Sequence, residues 1–314
     1  MNKSFTLIEI LVVIVIIGII SAFILVGMSS ITNGANIAKS QAFVNSINNS
    51  LLLARVSQWK LDEVSSTTTS DSWGTNTGTL KDAVACSFVA PYKCPQSVTS
   101  GCPSNNCLSF DGTDDYVDFG SDISLSMGDE DQTVSLWVKF DNASAPKHES
   151  LIYCGGAGTG TDKDGYLIRR ENGTSRLRCF FSDGSLDYTN GYLSAANTVV
   201  GNVWYNIVVV FNRANTVNDN IQAYINGVKQ VESVDIHSWT LNVRNYIPTY
   251  IGGSASYFAG KLDDIRIYNQ AIPLSEINQN YYIGINGLFK NQGISLDDFN
   301  QRLVELKSNL ANNE

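Results

Sequence analysis

The side chains of this 314-residue chain that could do chemistry are carboxylates, thiols and aromatic rings rather than imidazoles. There are 30 Asp and Glu against 21 Lys and Arg, and two histidines, His148 and His237. A net charge of −9 argues against nucleic acid as a partner, because binding phosphate needs a basic face. Two imidazoles are a poor supply for a zinc enzyme or for a hydrolase that runs on a histidine base. The acidic groups bunch at Asp111, Asp114 and Asp115, and again at Glu130 and Asp131 in the polar turn GDED. Asp111, Asp114 and Asp115 suit plain turns, where Asp bonds its own backbone. Glu130 and Asp131 read as a charged blunt end to a strand.

The six cysteines are Cys86, Cys94, Cys102, Cys107, Cys154 and Cys179. An even number in an exported domain favours disulfides over thiols and places the body outside the cytoplasm. The most local pairing joins Cys86 to Cys94, Cys102 to Cys107 and Cys154 to Cys179. Zinc is the alternative, but the four clustered cysteines lack C-x2-C spacing. Among the rings, Trp137 and Trp204 fall in strand-like segments and read as packing. Tyr166, Trp239, Tyr246 and Tyr257 lie near Gly- or Asn-rich loops, where a sugar could stack on a ring; packing is the competing use for these four.

Two very different parts of the chain must position these groups. Residues 1–58 carry Lys3, Lys39 and Arg55 against Glu9, a balance of +2, which leaves 18 basic and 29 acidic residues, or −11, for the remainder. No charge occurs between Glu9 and Lys39, and Ile10–Met28 is almost wholly apolar. As a helix this run would rise about 28 Å, close to the roughly 30 Å hydrocarbon core of a bilayer. It is too long for the apolar region of a secretory signal. A membrane span over about residues 9–28 is the expectation. Glu9 stands at its entrance, where an ionised carboxylate is expensive and is kept for a purpose.

The stretch MNKSFTLIEILVVIVIIGIISA resembles the type IV prepilin class, which includes pilins and the pseudopilins of type II secretion. The resemblance implies a leader, Met1–Ser4, cut by a prepilin peptidase between Ser4 and Phe5, and N-methylation of Phe5. It also implies that Glu9 neutralises the Phe5 amine of a neighbouring pilin-like subunit in a filament, where a buried pair costs far less than either charge alone. The glycine usual before the cut is Ser4 here, still a small side chain.

From Ser29 to Gln58 the pattern is polar with a helical period, Ile31, Ala35, Ala38, Ala42, Ile47 and Leu51 marking one face. Residues 5–58 therefore read as one long helix, an amphipathic stalk (29–58) following the span. Past Trp59, short β-branched and aromatic runs alternate with Gly, Asn, Asp and Ser clusters, which reads as all-β. Thr133–Phe140 alternates strictly, with Val134, Leu136, Val138 and Phe140 on the core side. Asn226–Gly227 signals a type I′ hairpin. Nine or so antiparallel strands suggest a two-sheet jelly roll.

The segments WKLDE, LSFDGTDDYVDF, TVSLWVKF, WYNIVVVFN, AYINGVKQ and AGKLDDIRIYNQAI, in that order over residues 59–282, resemble the LamG-like, concanavalin A-like jelly roll. The resemblance implies a module for carbohydrate binding, adhesion, glycan hydrolysis or spacing, which fold alone does not separate. It also implies a calcium ion tying the first and last strands, with Asp111, Gly112 and Asp263 as the nearest ligands. The hydrolases of this fold carry their acids on one strand as Glu-x-Asp-x-x-Glu; that string is absent, so no enzyme activity is expected. In the tail, 283–314, Ser295 and Asp298 make a capping-box-like start. Leu296, Phe299, Leu303, Leu306 and Leu310 then form an apolar seam. With Leu288 and Gly293 they resemble a short carboxy-terminal helical pair.

The expected architecture is a long amino-terminal α-helix, transmembrane in its first half, then an all-β two-sheet jelly roll and a short α-helical tail. The expected function is structural subunit of a type IV pilus-like or pseudopilus filament, displaying the jelly roll for adhesion to glycan or protein. A single-span surface protein that does not assemble is the alternative, and a surface glycan hydrolase a third. The protein would sit in the cytoplasmic membrane before assembly, body outward, and at the cell surface or in a filament afterwards.

Overall fold

Residues Thr133–Phe140 turn Val134, Leu136, Val138 and Phe140 into the core as the sequence demands, and the strand they form lies at the centre of one sheet. The structure is a computed structural model that describes residues 52–64, 66–82, 86, 94–126, 130–143, 146–155, 165–182, 191–212, 221–230, 249–253 and 256–311. Ser4, Phe5, Glu9, the expected membrane span and most of the stalk lie outside the described residues, as do Trp239 and Tyr246. Among the described residues no helix is long and apolar enough to cross a membrane.

The strands are β1 (Arg55–Trp59), β2 (Thr68–Thr69), β3 (Gly78–Lys81), β4 (Gln96–Val98), β5 (Cys107–Asp111), β6 (Tyr116–Asp118), β7 (Gln132–Phe140), β8 (Glu149–Gly155), β9 (Gly165–Arg170), β10 (Leu177–Ser182), β11 (Gly191–Leu193), β12 (Trp204–Phe211), β13 (Ile221–Ile225), β14 (Val228–Lys229), β15 (Thr249–Ile251) and β16 (Ala259–Tyr268). Helices α1 (Leu274–Lys290) and α2 (Leu296–Ala311) follow. The first sheet runs β14-β13-β12-β7-β16-β5-β4 with β1 also paired to β16, and the second β11-β10-β9-β8-β15-β6-β3-β2. All recorded pairings are antiparallel, as in the expected jelly roll. Between the sheets lie Val134, Leu136, Val138, Phe140, Ile152, Ile168, Ile207, Val209, Ile265 and Ile267, all buried. The β13–β14 turn has Asn226 at φ 55° and Gly227 at φ 78°, the left-handed pair that the type I′ hairpin requires.

Strand β16 serves two partners on one side. Its first half pairs with β5, from Ala259 opposite Asp111 to Leu262 opposite Leu108, and its second half pairs with β1, from Ile265 opposite Trp59 to Tyr268 opposite Arg55. The changeover is a bulge with Asp264 at φ 44°. The stalk expectation is corrected here: residues 55–58 are strand, not helix. Pairing lets Trp59 bury completely and stack on Phe119 at 3.8 Å, which a helix continuing from residue 54 would forgo. Likewise α1 runs through the expected boundary at 282/283.

The outer face of β7 is buried as well. Trp137 stacks on Tyr281 of α1 with ring centroids 5.8 Å apart, and Trp204, Ile285, Leu288 and Leu306 complete a second apolar cluster. Two glycines let α1 lie this close: a Cβ at Gly284 would strike the Trp137 ring, and one at Gly287 the Pro103 carbonyl. The capping pair forms as the sequence predicts, the Asp298 N–H donating to Ser295 Oγ at 3.1 Å and the Ser295 N–H to Asp298 Oδ2 at 3.2 Å.

Cysteine pairing is as expected at two of three sites. Cys86–Cys94 and Cys102–Cys107 are bonded, whereas Cys154 and Cys179 are buried free thiols. Cys154 on β8 faces Tyr166 on β9, and Cys179 on β10 faces Ile168 on the other side of β9. Two strand spacings, about 9–10 Å, exceed the roughly 7 Å that a disulfide can bridge.

Candidate functional site

With α1 and α2 covering the outer face of the first sheet, the outer face of the second is where short strands present side chains to solvent. Val117 points into the core, so its neighbours Tyr116 and Asp118 point out. Tyr250 stands out between buried Thr249 and Ile251, opposite Asp118 on one side and Tyr153 of β8 on the other. Tyr116, Tyr153 and Tyr250 are half-buried. Tyr116 and Tyr250 meet edge to face at 5.7 Å. Tyr257 lies 6.4 Å from Tyr116, and Lys147 Nζ is 5.9 Å from the Tyr257 ring centroid. Burial, then Asp118, pushes the Tyr116 and Tyr250 phenols up, so both remain protonated donors at neutral pH. The result is a platform of flat rings with hydroxyls and one carboxylate along its edge, the mix of apolar faces and a few polar groups that ligand sites use.

Beside it is the turn between β5 and β6. Asp111, Asp114 and Asp115 bring carboxylate oxygens within 4.8 Å of one another. The Asp111 N–H donates to Asp115 Oδ2 at 3.0 Å, and the Thr113 N–H to Asp111 Oδ1 at 2.7 Å. Burial, joined by the charges of Asp111, Asp114 and Asp82, pushes the Asp115 carboxyl up to about 7. Lys147 Nζ donates to the Gly112 carbonyl at 2.5 Å, tying this turn to Tyr257.

The residues singled out from sequence are dispersed. Asp111 and Gly112 sit at this turn, but Asp263 does not join them. Ala259 is opposite Asp111, so Asp263 is four residues further along β16, about 13 Å away. There it is fully buried and accepts from Ser104 N at 2.8 Å and Ser104 Oγ at 3.0 Å. Burial holds its carboxyl well above the usual range. Asp62 accepts from the same Ser104 Oγ, at 3.2 Å. Tyr166 is corrected to a core residue, 1% exposed and 5.8 Å from the Phe211 ring. Among the described residues, Tyr257 is the proposed stacking ring that belongs to the platform. Tyr116, Tyr153, Tyr250 and Asp118 were not singled out; Tyr116–Asp118 runs out-in-out and Thr249–Ile251 in-out-in, over three residues each.

Residues 111–278, more than half of the chain, match the family model of the concanavalin A-like lectin/glucanases superfamily. The chain belongs to this superfamily. Residues 1–25 of this concanavalin A-like protein match the prokaryotic N-terminal methylation motif, so the chain is a fusion of the two. No curated protein matches it. Among solved structures, domain 4 of AbnA, a GH43 extracellular arabinanase from Geobacillus stearothermophilus in complex with arabinotriose, is similar with TM-score 0.50 and 16% identity, over 73% of this chain and 98% of that one. The receptor binding domain of botulinum neurotoxin C/D mosaic serotype gives TM-score 0.54 and 14% identity, over 74% of this chain and 52% of that one. Trypanosoma rangeli sialidase in complex with sialic acid gives 0.50 and 12%, over 72% and 32%. At these identities the likeness is one of fold.

Proposed function

We propose that this protein is a pilin-type filament subunit whose concanavalin A-like body binds glycan on the tyrosine face of its second sheet. The observation that carries the binding reading is the outward cluster of Tyr116, Tyr153, Tyr250 and Tyr257 beside Asp118, on the outer face of the second sheet. Hydrated rings that pack on each other instead of in the core are suited to stacking on sugar rings, with phenols and carboxylate bonding sugar hydroxyls. The arabinotriose in a structure of similar fold agrees with this reading. Enzyme activity has no part in it, since the string Glu-x-Asp-x-x-Glu is missing. Calcium has a part, because carboxylates at the edge of the platform offer the oxygens it takes.

The filament reading is supported by the methylation motif. In it, prepilin peptidase removes Met1–Ser4, the span of about 9–28 holds the protein in the membrane until assembly, Glu9 meets the Phe5 amine of the next subunit, and the body is carried outside the cell. Intact mass of the protein from its native membrane is expected to show loss of Met1–Ser4, a gain of about one methyl group, and a deficit of roughly two hydrogens for each of two disulfides. An uncut mass removes the filament reading. For the binding reading, full-length protein in detergent micelles on a glycan array is expected to retain neutral oligosaccharides. Tyr250→Ala is expected to weaken the strongest of these by roughly tenfold, a loss of about 1–1.5 kcal/mol for one ring contact. An array without binders, or one indifferent to both Tyr116→Ala and Tyr250→Ala, rejects the platform.

A further inference from the structure

We propose that the tyrosine platform selects glycans that carry a free amine, its preferred ligand being an oligosaccharide of unacetylated amino sugars. This rests on the glycan reading and narrows it to one chemical class. Asp118 is the residue that decides it. It follows Tyr116 by two residues on the outward face of β6, and the register sets it directly opposite Tyr250 of β15. Its half-buried carboxylate is therefore flanked by two phenols. Among the described residues the Gly120 N–H donates to its Oδ1 at 2.8 Å, no donor meets Oδ2, and no lysine or arginine forms an ion pair with it.

The rings favour the same charge. The face of a tyrosine ring is negative and attracts a cation within about 6 Å of its centroid. The protein already uses this contact once, since the Lys147 ammonium stands 5.9 Å from the Tyr257 centroid. Tyr116 and Tyr250 meet at an interplanar angle of 80° and so form a corner beside Asp118. Among the described residues no lysine or arginine lies over either ring. The turn leading into Tyr116 adds the exposed Asp111 and the half-buried Asp114. Two lysines share this face: Lys81, beside Tyr116 on β3, and Lys147, which the Gly112 carbonyl holds. A sugar hydroxyl gains one hydrogen bond from Asp118. A sugar ammonium gains a charge-assisted bond and the ring faces as well. A carboxylated or sulfated sugar meets repulsion there.

The test compares three tetrasaccharides of identical linkage that differ only in the group on the second carbon: hydroxyl, acetamide or amine. Each is titrated by calorimetry into full-length protein in detergent micelles at low salt. The amine tetramer is expected to bind at least about tenfold tighter than the hydroxyl tetramer, through one cation–π contact and one charged hydrogen bond. At about 1 M salt, where the Debye length is about 3 Å, most of that advantage should vanish. Asp118→Asn keeps the shape of the side chain and should bring the amine-to-hydroxyl ratio to within about twofold of one. The ratio in the wild type decides the matter should that variant fold poorly. Equal affinity for all three sugars, or a ratio that Asp118→Asn leaves unchanged, overturns the amine preference and leaves the glycan reading standing. A lysine peptide that binds where every sugar fails overturns both.

Discussion

Arg170→Leu is expected to destabilise the folded body by about 3–5 kcal/mol, the range for removing one partner of a buried ion pair. Arg170 is completely buried at the inner face of β9, directly opposite Glu149 of β8, which is 1% exposed. Its Nε donates to Glu149 Oε2 at 2.6 Å, and Nη1 donates to the Asn142 carbonyl at 2.9 Å. The guanidinium also lies 4.2 Å over the Phe140 ring. Burial pushes the Glu149 carboxyl up and Arg170 pulls it back; without the arginine, Glu149 must take a proton inside the sandwich. The double variant Arg170→Leu with Glu149→Leu removes both charges and should recover most of the loss. Guanidinium unfolding followed by tryptophan fluorescence measures all three proteins, and a single variant within about 1 kcal/mol of wild type would mean water reaches the pair.

The second large effect belongs to Asp71, whose carboxylate organises the loop before β3. Oδ1 accepts the N–H groups of Gln58 at 2.9 Å, Trp73 at 3.0 Å and Gly74 at 2.9 Å, and Oδ2 accepts that of Asn76 at 3.1 Å. Asn76 in turn receives the Trp59 indole N–H on its carbonyl and donates to Ser57 Oγ at 2.8 Å. Asp71→Ala therefore orphans several donors in a partly buried loop, and a loss of about 2–4 kcal/mol is expected. Burial alone would raise the Asp71 carboxyl, but the N–H donors of Gly74, Gln58 and Trp73 outweigh it and the net direction is down. A carboxyl lowered on folding stabilises fully above its unfolded value, near pH 4, and that contribution disappears as pH falls through the lower folded value. Wild type should thus lose stability below about pH 4 more steeply than Asp71→Ala. Parallel acid titrations of the two, followed by circular dichroism, check the sign.

The sequence carried the long regular pieces well. Strict alternation in Thr133–Phe140 and the Asn226–Gly227 pair each translated directly into one strand and one turn, because a single local rule governs each. What it concealed was set by packing partners distant in the chain. Trp137 lies on the polar side of the alternation, and only α1, more than a hundred residues later, shows that this side is covered. Arg55–Trp59 continues a helical period, yet its pairing with β16 decides its form. The tyrosine platform was hidden because β6 and β15 are three residues long, too short for periodicity to register. Asp111 and Asp263 looked alike as flanking acids, and only the β5–β16 register separates them. Tyr166, beside a glycine-rich loop in sequence, alternates with Ile168 and Arg170 toward the core.

The placement of the cysteines has a consequence for how the body is made. Both bonded pairs, Cys86–Cys94 and Cys102–Cys107, lie ahead of the two free thiols in the chain and enclose short loops. A chain emerging from the apolar front end onward delivers the four partners first. They can close their two loops before Cys154 or Cys179 has arrived to compete. In the finished sheet β9 lies between β8 and β10 and holds the last two thiols two strands apart.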